Sequence, residues 1–297
     1  MMQPRIGFVG AGKVGHVLAR LWKQAGYAIS SVTSRTYAHA QTLAAEVDAD
    51  VAQSVAEVVA RSDLTLLTVN DDAIAEVAAQ ITKADLELSG KAIVHTSGAR
   101  SLDVLSDLQA GGARVGSLHP VFPFAEIKTA LQRLPGATFA VEVDDDELRR
   151  WLAALVAAVS GRLMVIPPGD KALYHAALVI ASNYTLVLFH VAEQLLHEMG
   201  TSPQAAQNAL SILLQETVAN LKARSTAEAL TGPLVRGDTG TLAAHLEALA
   251  AYPQVRDLYH LLTEAALPML KQRGMNDETI ATMKRQLGIE GWHKTQG

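Results

Sequence analysis

Cysteine is absent from the 297 residues, which excludes disulfides, thiolate metal sites and thiol nucleophiles together and fits a reducing cytoplasm. No block of Lys or Arg interrupts a chain whose formal charge is −5, so nucleic-acid binding by phosphate neutralisation is not expected. The amino terminus enters an apolar run directly, without the charged region, apolar stretch and cleavage site of an export signal. The most apolar long segment, Ala176 to Ala192, is interrupted by Ser182, Asn183, Tyr184, Thr185 and His190, which predicts a core helix and no membrane span. There is no internal repeat, and alanine richness is the one compositional bias. Against these absences, a hydrophobic content of 49% allows a large core, and the length suits about two domains.

Through residue 166 short β-rich runs alternate with helical stretches, the pattern of a parallel sheet wound with helices. Strands are predicted at 6–9, 28–33, 64–69, 92–95, 115–118, 138–143 and 163–166, and helices at 14–24, 37–46, 54–61, 72–81 and 147–159. After Pro167-Pro168-Gly169 no convincing strand remains. Long helical periodicities take over, punctuated at Gly200 to Pro203, Thr231-Gly232-Pro233 and Arg273-Gly274. The reading is an α/β chain, a Rossmann-like doubly wound sheet in residues 1–166 followed by an all-helical domain in 167–297.

Residues 5–15 read R-I-G-F-V-G-A-G-K-V-G, so Gly10, Gly12 and Gly15 fall where a strand turns into a helix. Gly10 allows the tight turn, Gly12 lets backbone approach a pyrophosphate, and Gly15 lets the helix pack closely on the strand. The backbone of Ala11, Gly12, Lys13, Val14 and Gly15 then faces an anion with unpaired N–H groups. The end of the second strand is where an acidic residue would grip the ribose of NAD. None is present, and Ser34-Arg35-Thr36 stands there instead. A guanidinium flanked by hydroxyls suits a 2′-phosphate, so NADP(H) is the expected cofactor.

In a doubly wound sheet ligands lie beyond the carboxyl ends of the strands. Val69, Asn70 and Asp71 end one central strand, and Thr96 and Ser97 follow His95 at the end of the next. All five are placed beside cofactor, with Ser97 near the nicotinamide. His119 sits at another strand end, locked by Pro120 and Pro123, where an imidazole can exchange a proton near neutral pH. In the helical half, Lys171, His175 and Ser182 share a narrow helical face and Asn183 lies about a third of a turn away. A lysine in an apolar cleft has its charge destabilised and so suits proton transfer. Arg236, in Leu230 to Asp238, is a candidate for a substrate carboxylate, with Asp238 or Thr239 as the next helix cap. Its Arg-Gly-Asp triplet matches an integrin signal by chance. His190, Glu193 and His197 are spaced three and seven apart, which does not make a chelating pair, and no metal is expected.

The glycine turn, Val69-Asn-Asp-Asp-Ala-Ile, His95-Thr-Ser-Gly-Ala, Ser117-Leu-His-Pro, Lys171-Ala-Leu-Tyr-His with Asn183-Tyr, and Thr231-Gly-Pro-Leu-Val-Arg-Gly-Asp together resemble a bacterial family assigned as NADP oxidoreductases. In that family a Rossmann-like domain precedes a helical domain of unknown function, and the resemblance covers nearly the whole chain. The family is similar in plan to pyrroline-5-carboxylate reductase, deazaflavin-dependent NADP reductases, ketopantoate reductase and the β-hydroxyacid dehydrogenases. The resemblance implies hydride transfer between domains, in a homodimer built on the helical domains. In the β-hydroxyacid dehydrogenases the lysine is followed four residues later by asparagine, whereas Lys171 is followed there by His175. The expectation is a cytoplasmic, NADPH-dependent reductase of a small C=O or C=N group. Lys171, with His175 or His119, would move the proton, and Ser97 and Asn183 would orient substrate. The alternatives are an NADPH sensor read by a partner protein and a reductase of a deazaflavin.

Overall fold

A computed structural model describes residues 3–289. The chain divides into two compact units, the first ending at Ala181 and the second beginning at Ser182. In the first, β1 (Ile6–Val9), α1 (Lys13–Gln24), β2 (Ile29–Thr33), α2 (Tyr37–Val47), β3 (Asp50–Val51), α3 (Val55–Arg61) and β4 (Leu64–Leu67) come in succession. They are followed by α4 (Ile74–Lys83), β5 (Ala92–His95), α5 (Ser106–Ala110), β6 (Arg114–Pro120), α6 (Ile127–Arg133), β7 (Thr138–Val143), α7 (Asp146–Ala158), β8 (Arg162–Val165) and α8 (Lys171–Ala181). The eight strands form one sheet in the order β3-β2-β1-β4-β5-β6-β7-β8. The order reverses between β1 and β4, the switch point outside which such sheets bind ligands.

Because side chains alternate along a strand, each buried strand feeds two cores. Ile6, Phe8, Leu64, Leu66, Ala92 and Val94 pack with α1, α2 and α7. Val9, Leu67, Ile93 and Val115 pack on the other face with α3, α4 and α5. Trp22 joins α1 to α7 by donating its indole N–H to the Leu155 carbonyl, 3.0 Å away.

The sheet is not wholly parallel, as the alternation of strands and helices had suggested. β6 and β7 are antiparallel, and β8 runs parallel to β7. The chain folds the unexpected helix α6 against α1 and starts β7 beside the end of β6, with Phe139 opposite Pro120. Adjacent antiparallel strands need no crossover to the far end of the sheet. The reversal brings Glu142, near the end of β7, opposite Ser117 in the middle of β6. The two-residue β3 was also not foreseen.

The second unit contains α9 (Asn183–Glu198), α10 (Pro203–Ala223), α11 (Thr226–Ala229), α12 (Pro233–Arg236), α13 (Thr239–Ala248), α14 (Pro253–Gln272) and α15 (Asp277–Gln286). Its helix starts are written locally: Ser202 and Asp238 accept N–H groups of the following turns, and Ser225 with Glu228 forms a capping box. Leu242, Leu246, Leu267, Leu270 and Met283 make its core. The helix expected over Ala176 to Ala192 is broken at Ser182, which precedes α9 without a side-chain cap. Nor is that stretch a core helix: α9 buries no residue, and Lys171 is the one buried residue of α8. By length and composition Lys171–Glu198, with a mean hydropathy of 1.5, is apolar enough to cross a membrane.

Candidate active site

The glycine turn stands at the switch point with the geometry its spacing demands. Gly10 has φ +109°, and a Cβ there would lie 2.6 Å from the Thr68 carbonyl oxygen. A Cβ on Gly15 would run into the Gly10 carbonyl, so helix and strand touch backbone to backbone. Gly12 has open space where its Cβ would be, and no side chain caps α1 at this residue. Thr68 locks the turn by donating its hydroxyl to the Gly10 carbonyl at 2.6 Å, a partner that no motif singled out. Lys13 reaches across to the Ala125 carbonyl at 2.6 Å. Ala11 is buried and Val14 packs half-buried against the core.

The Gly10 N–H donates to the Thr33 carbonyl at 2.8 Å, which ties the turn to the end of β2. Ser34, Arg35 and Thr36 follow directly, with Arg35 exposed and in no ion pair among the described residues. On the other side of β1, Val69, Asn70 and Asp71 leave β4. Next along, Thr96 donates its hydroxyl to the Leu67 carbonyl at 3.3 Å. The Ser97 hydroxyl accepts the N–H groups of Ala99 and Arg100, so it shapes its own loop and keeps only its proton to offer elsewhere.

One cross-strand row carries polar side chains onto one face of the sheet. Val9, Leu67, His95, Ser117 and Glu142 are successive partners across β1, β4, β5, β6 and β7, and so share one face of the sheet. The row is apolar on the first two strands and polar on the last three. Lys171, at the start of α8 and 1% exposed, lies over the polar part and donates its ammonium to the Ser117 hydroxyl at 2.7 Å. Glu142 is 4% exposed, and its Oε2 has no hydrogen-bond partner among the described residues. Burial pulls Lys171 down to about 8, against the attraction of Glu142 and Asp71. Burial also raises Glu142, against the attraction of Lys171. His95 is driven to about 3 by burial and by the Lys171 charge. It is therefore neutral: Nδ1 accepts the Ser97 N–H at 3.2 Å and the proton sits on Nε2.

A second pair joins α8 to β6 one step along. His119, two residues beyond Ser117 and on the same face, has Nδ1 2.6 Å from the hydroxyl of Tyr174, with the two rings edge to face. Burial, with the charges of Lys171 and His175, lowers His119 to about 4, and burial pushes Tyr174 up to about 12. Gly98 makes room for this arrangement. A Cβ there would lie 2.9 Å from both His119 Nε2 and His175 Nδ1, and His175 Nδ1 is buried without a hydrogen-bond partner.

The structure thus gathers Lys171, His175, His119 and Ser97 around the ends of β5 and β6. Asn183 and Arg236 belong to the second unit, where Asn183 is exposed at the first turn of α9 and Arg236 is exposed at the end of α12. His190 Nδ1 is 3.9 Å from Glu193 Oε2, and His197 faces the Thr201 carbonyl. Sequence reasoning missed Ser117, Glu142 and Tyr174 as site residues. A signal existed for two of them. In T-F-A-V-E-V and V-G-S-L-H a polar residue occupies a core-facing step of an otherwise apolar alternation.

Residues 1–120 match a Rossmann-like domain and residues 137–266 match the domain of unknown function DUF2520. No curated protein matches. Among solved structures, a Thermotoga maritima protein is 23% identical over 91% of this chain and all of its own, with a TM-score of 0.74. A Bacteroides fragilis protein, provisionally named an NADP oxidoreductase, is 26% identical over 89% of this chain and 97% of its own, with a TM-score of 0.67. A reductive aminase from Aspergillus terreus, solved with NADPH and ethyl-5-oxohexanoate, is 19% identical over 99% of this chain and 95% of its own, with a TM-score of 0.61. The chain therefore joins a Rossmann-like domain to a DUF2520 domain.

Proposed function

We propose that this protein is an NADP(H)-dependent oxidoreductase that reduces a small C=O or C=N group. The observation that carries the reading is the uncapped glycine turn at the switch point, open beside Gly12, with Arg35 just past the end of the neighbouring strand, exposed and in no ion pair among the described residues. An open cradle that a Cβ would fill, at the positive end of a 12-residue helix, fits a pyrophosphate. Residues 10–15 would hold the pyrophosphate, and Ser34, Arg35 and Thr36 the 2′-phosphate. Val69, Asn70, Asp71, Thr96 and Ser97 would border the rest. When bound, the nicotinamide supplies or removes a hydride.

The chain's own contribution is the proton. The polar row and α8 present Tyr174, His119 and His175 at the ends of β5 and β6, over a lysine whose charge is held inside. Likeness to the Bacteroides fragilis and Aspergillus terreus proteins supports the same reading. The test is NADPH consumption with a panel of small ketones, oxo acids and cyclic imines, together with a fluorescence titration of NADPH. Tight uptake with no turnover of any panel member would refute a reductase and leave a sensor.

Replacing Arg35 by Ala is expected to cut the preference for NADPH over NADH about 10- to 100-fold, the equivalent of charge-assisted bonds worth ~1.5–3 kcal/mol. Ratios of kcat/KM for the two coenzymes measure it, and an unchanged ratio would move the 2′-phosphate site elsewhere.

The working form is a homodimer. On α9 and α10 the side chains of Leu186 and Leu213 are 68% and 65% exposed, with Val187 and Ile212 beside them more than half exposed. Exposed aliphatic side chains on two neighbouring helices need cover. A second copy suits them better than lipid, because Thr185, His190 and Glu193 interrupt α9 and Lys171, at the head of the same apolar stretch, is fixed to β6. Sedimentation of a single species at twice the chain mass is the expected result, and a monomer would rule it out.

A further inference from the structure

We infer that the phenol of Tyr174 is the group that delivers the proton to the reduced substrate, with His119 returning the proton to it and Lys171 acting as a positioning residue beneath. The inference rests on the reductase reading and assigns its proton step to one atom.

Lys171 is the obvious acid by residue type, but its ammonium is spent inward. It donates to Ser117 at 2.7 Å, the side chain is 1% exposed, and Glu142 lies in the row below. A substrate approaching the strand ends cannot reach Nζ without dismantling that contact. Tyr174, one turn along the same helix, is half-buried and reachable, as is His119. The 2.6 Å bond between His119 Nδ1 and the Tyr174 hydroxyl fixes the phenol on β6. The Lys171 ammonium lies 5.7 Å from the centre of the tyrosine ring. A cation at that distance lowers the cost of a transient phenolate. Gly98 leaves His119 Nε2 facing space where its own Cβ would stand.

The step balances. As the carbon of a C=O receives a hydride from reduced nicotinamide, its π pair moves to oxygen. That oxygen forms a bond to the phenolic hydrogen while the Tyr174 O–H bond breaks. The phenolate then takes the hydrogen from His119 Nδ1 as a solvent proton enters at Nε2, which leaves a neutral imidazole of the other tautomer, and exchange with solvent returns its hydrogen to Nδ1 before the next turnover. The net consumption is one hydride and one solvent proton per alcohol formed. An imine nitrogen takes the place of oxygen without other change.

The test uses the full-length protein and the panel ketone or imine with the highest turnover. Tyr174→Phe is expected to lower kcat about 100-fold or more, the usual worth of a general acid, with NADPH affinity within about twofold of wild type, since no binding contact is removed. His119→Ala is expected to lower kcat about 10-fold and to recover with millimolar imidazole, a rescue that a purely structural histidine would not show. Independently of turnover, the ¹⁵N resonance of His119 Nδ1 in cofactor-free protein should move in Tyr174→Phe as its partner is lost. Full turnover in Tyr174→Phe, or an unmoved His119 resonance, would overturn the assignment alone. Absence of NADPH oxidation by the wild type with every panel member would overturn the reductase reading and this assignment with it.

Discussion

Lys171→Met is expected to destabilise the first unit by about 1–3 kcal/mol, the usual cost of leaving buried polar groups without their partner. Methionine keeps most of the side-chain volume, so the cavity term is small. What is lost is the cation over Ser117 and Glu142. Glu142 Oε2 already lacks a hydrogen bond, and only the lysine charge opposes the cost of burying that carboxylate. Adding Glu142→Leu should recover at least half of the loss, because removing both members of a buried pair is often neutral or stabilising. Urea unfolding of the two single variants and the double variant, analysed as a cycle, measures the coupling. A single Lys171→Met variant within about 1 kcal/mol of wild type would mean that the row is hydrated and the charge unimportant.

Acid is expected to unfold the protein through the same row. His95 has an ordinary value of 6.5 and is held near 3 in the folded chain. Between those values the unfolded chain binds the proton and the folded chain does not, so stability is intact above 6.5 and falls as the pH drops. One such group costs about 3 kcal/mol by pH 4. His119, lowered to about 4, adds in the same direction, less strongly because it is half-buried. His95→Asn should flatten the decline, since its amide oxygen can accept the Ser97 N–H as Nδ1 does and does not titrate. Chemical unfolding of both proteins at neutral and acidic pH decides it: parallel curves would put the acid sensitivity in other groups.

The charge of Lys171 and the neutrality of His95 are one arrangement. A lysine ammonium over a sheet face makes a nearby imidazolium costly, and Coulomb repulsion from Lys171 is the second cause of the depressed His95 and His119 values. Lys171 therefore carries its positive charge beside two imidazoles, His95 and His119, that stay neutral at neutral pH. That charge is turned inward to Ser117, and neutral donors remain at the accessible rim.

Most strands and helices of the first unit were legible in the sequence because their signals are local. Apolar runs such as Ile6 to Val9 and Ala92 to His95 have the length and composition of buried strands, and glycines mark where they turn. The boundaries mostly fell within a residue or two, and α5 and α6 were missed because both are short and neither begins with a side-chain cap, unlike the equally short α3 behind Ser54. The expected division after residue 166 marks the last strand, whereas the first compact unit continues through α8 to Ala181 because Lys171 and Tyr174 bind β6.

By itself the sequence determined the glycine turn, the missing acid after β2 and the arginine in its place, since each depends on residues within a few positions of one another. Tertiary structure alone decided that β7 runs backwards, that Glu142 meets Ser117, that Lys171 points into the sheet and that Tyr174 meets His119. Those partners are brought together by strand register and by the seating of one helix. A one-residue slip in register would send each strand side chain to the opposite face, and the alternation that marks Ser117 and Glu142 as polar steps does not say which strand each will meet.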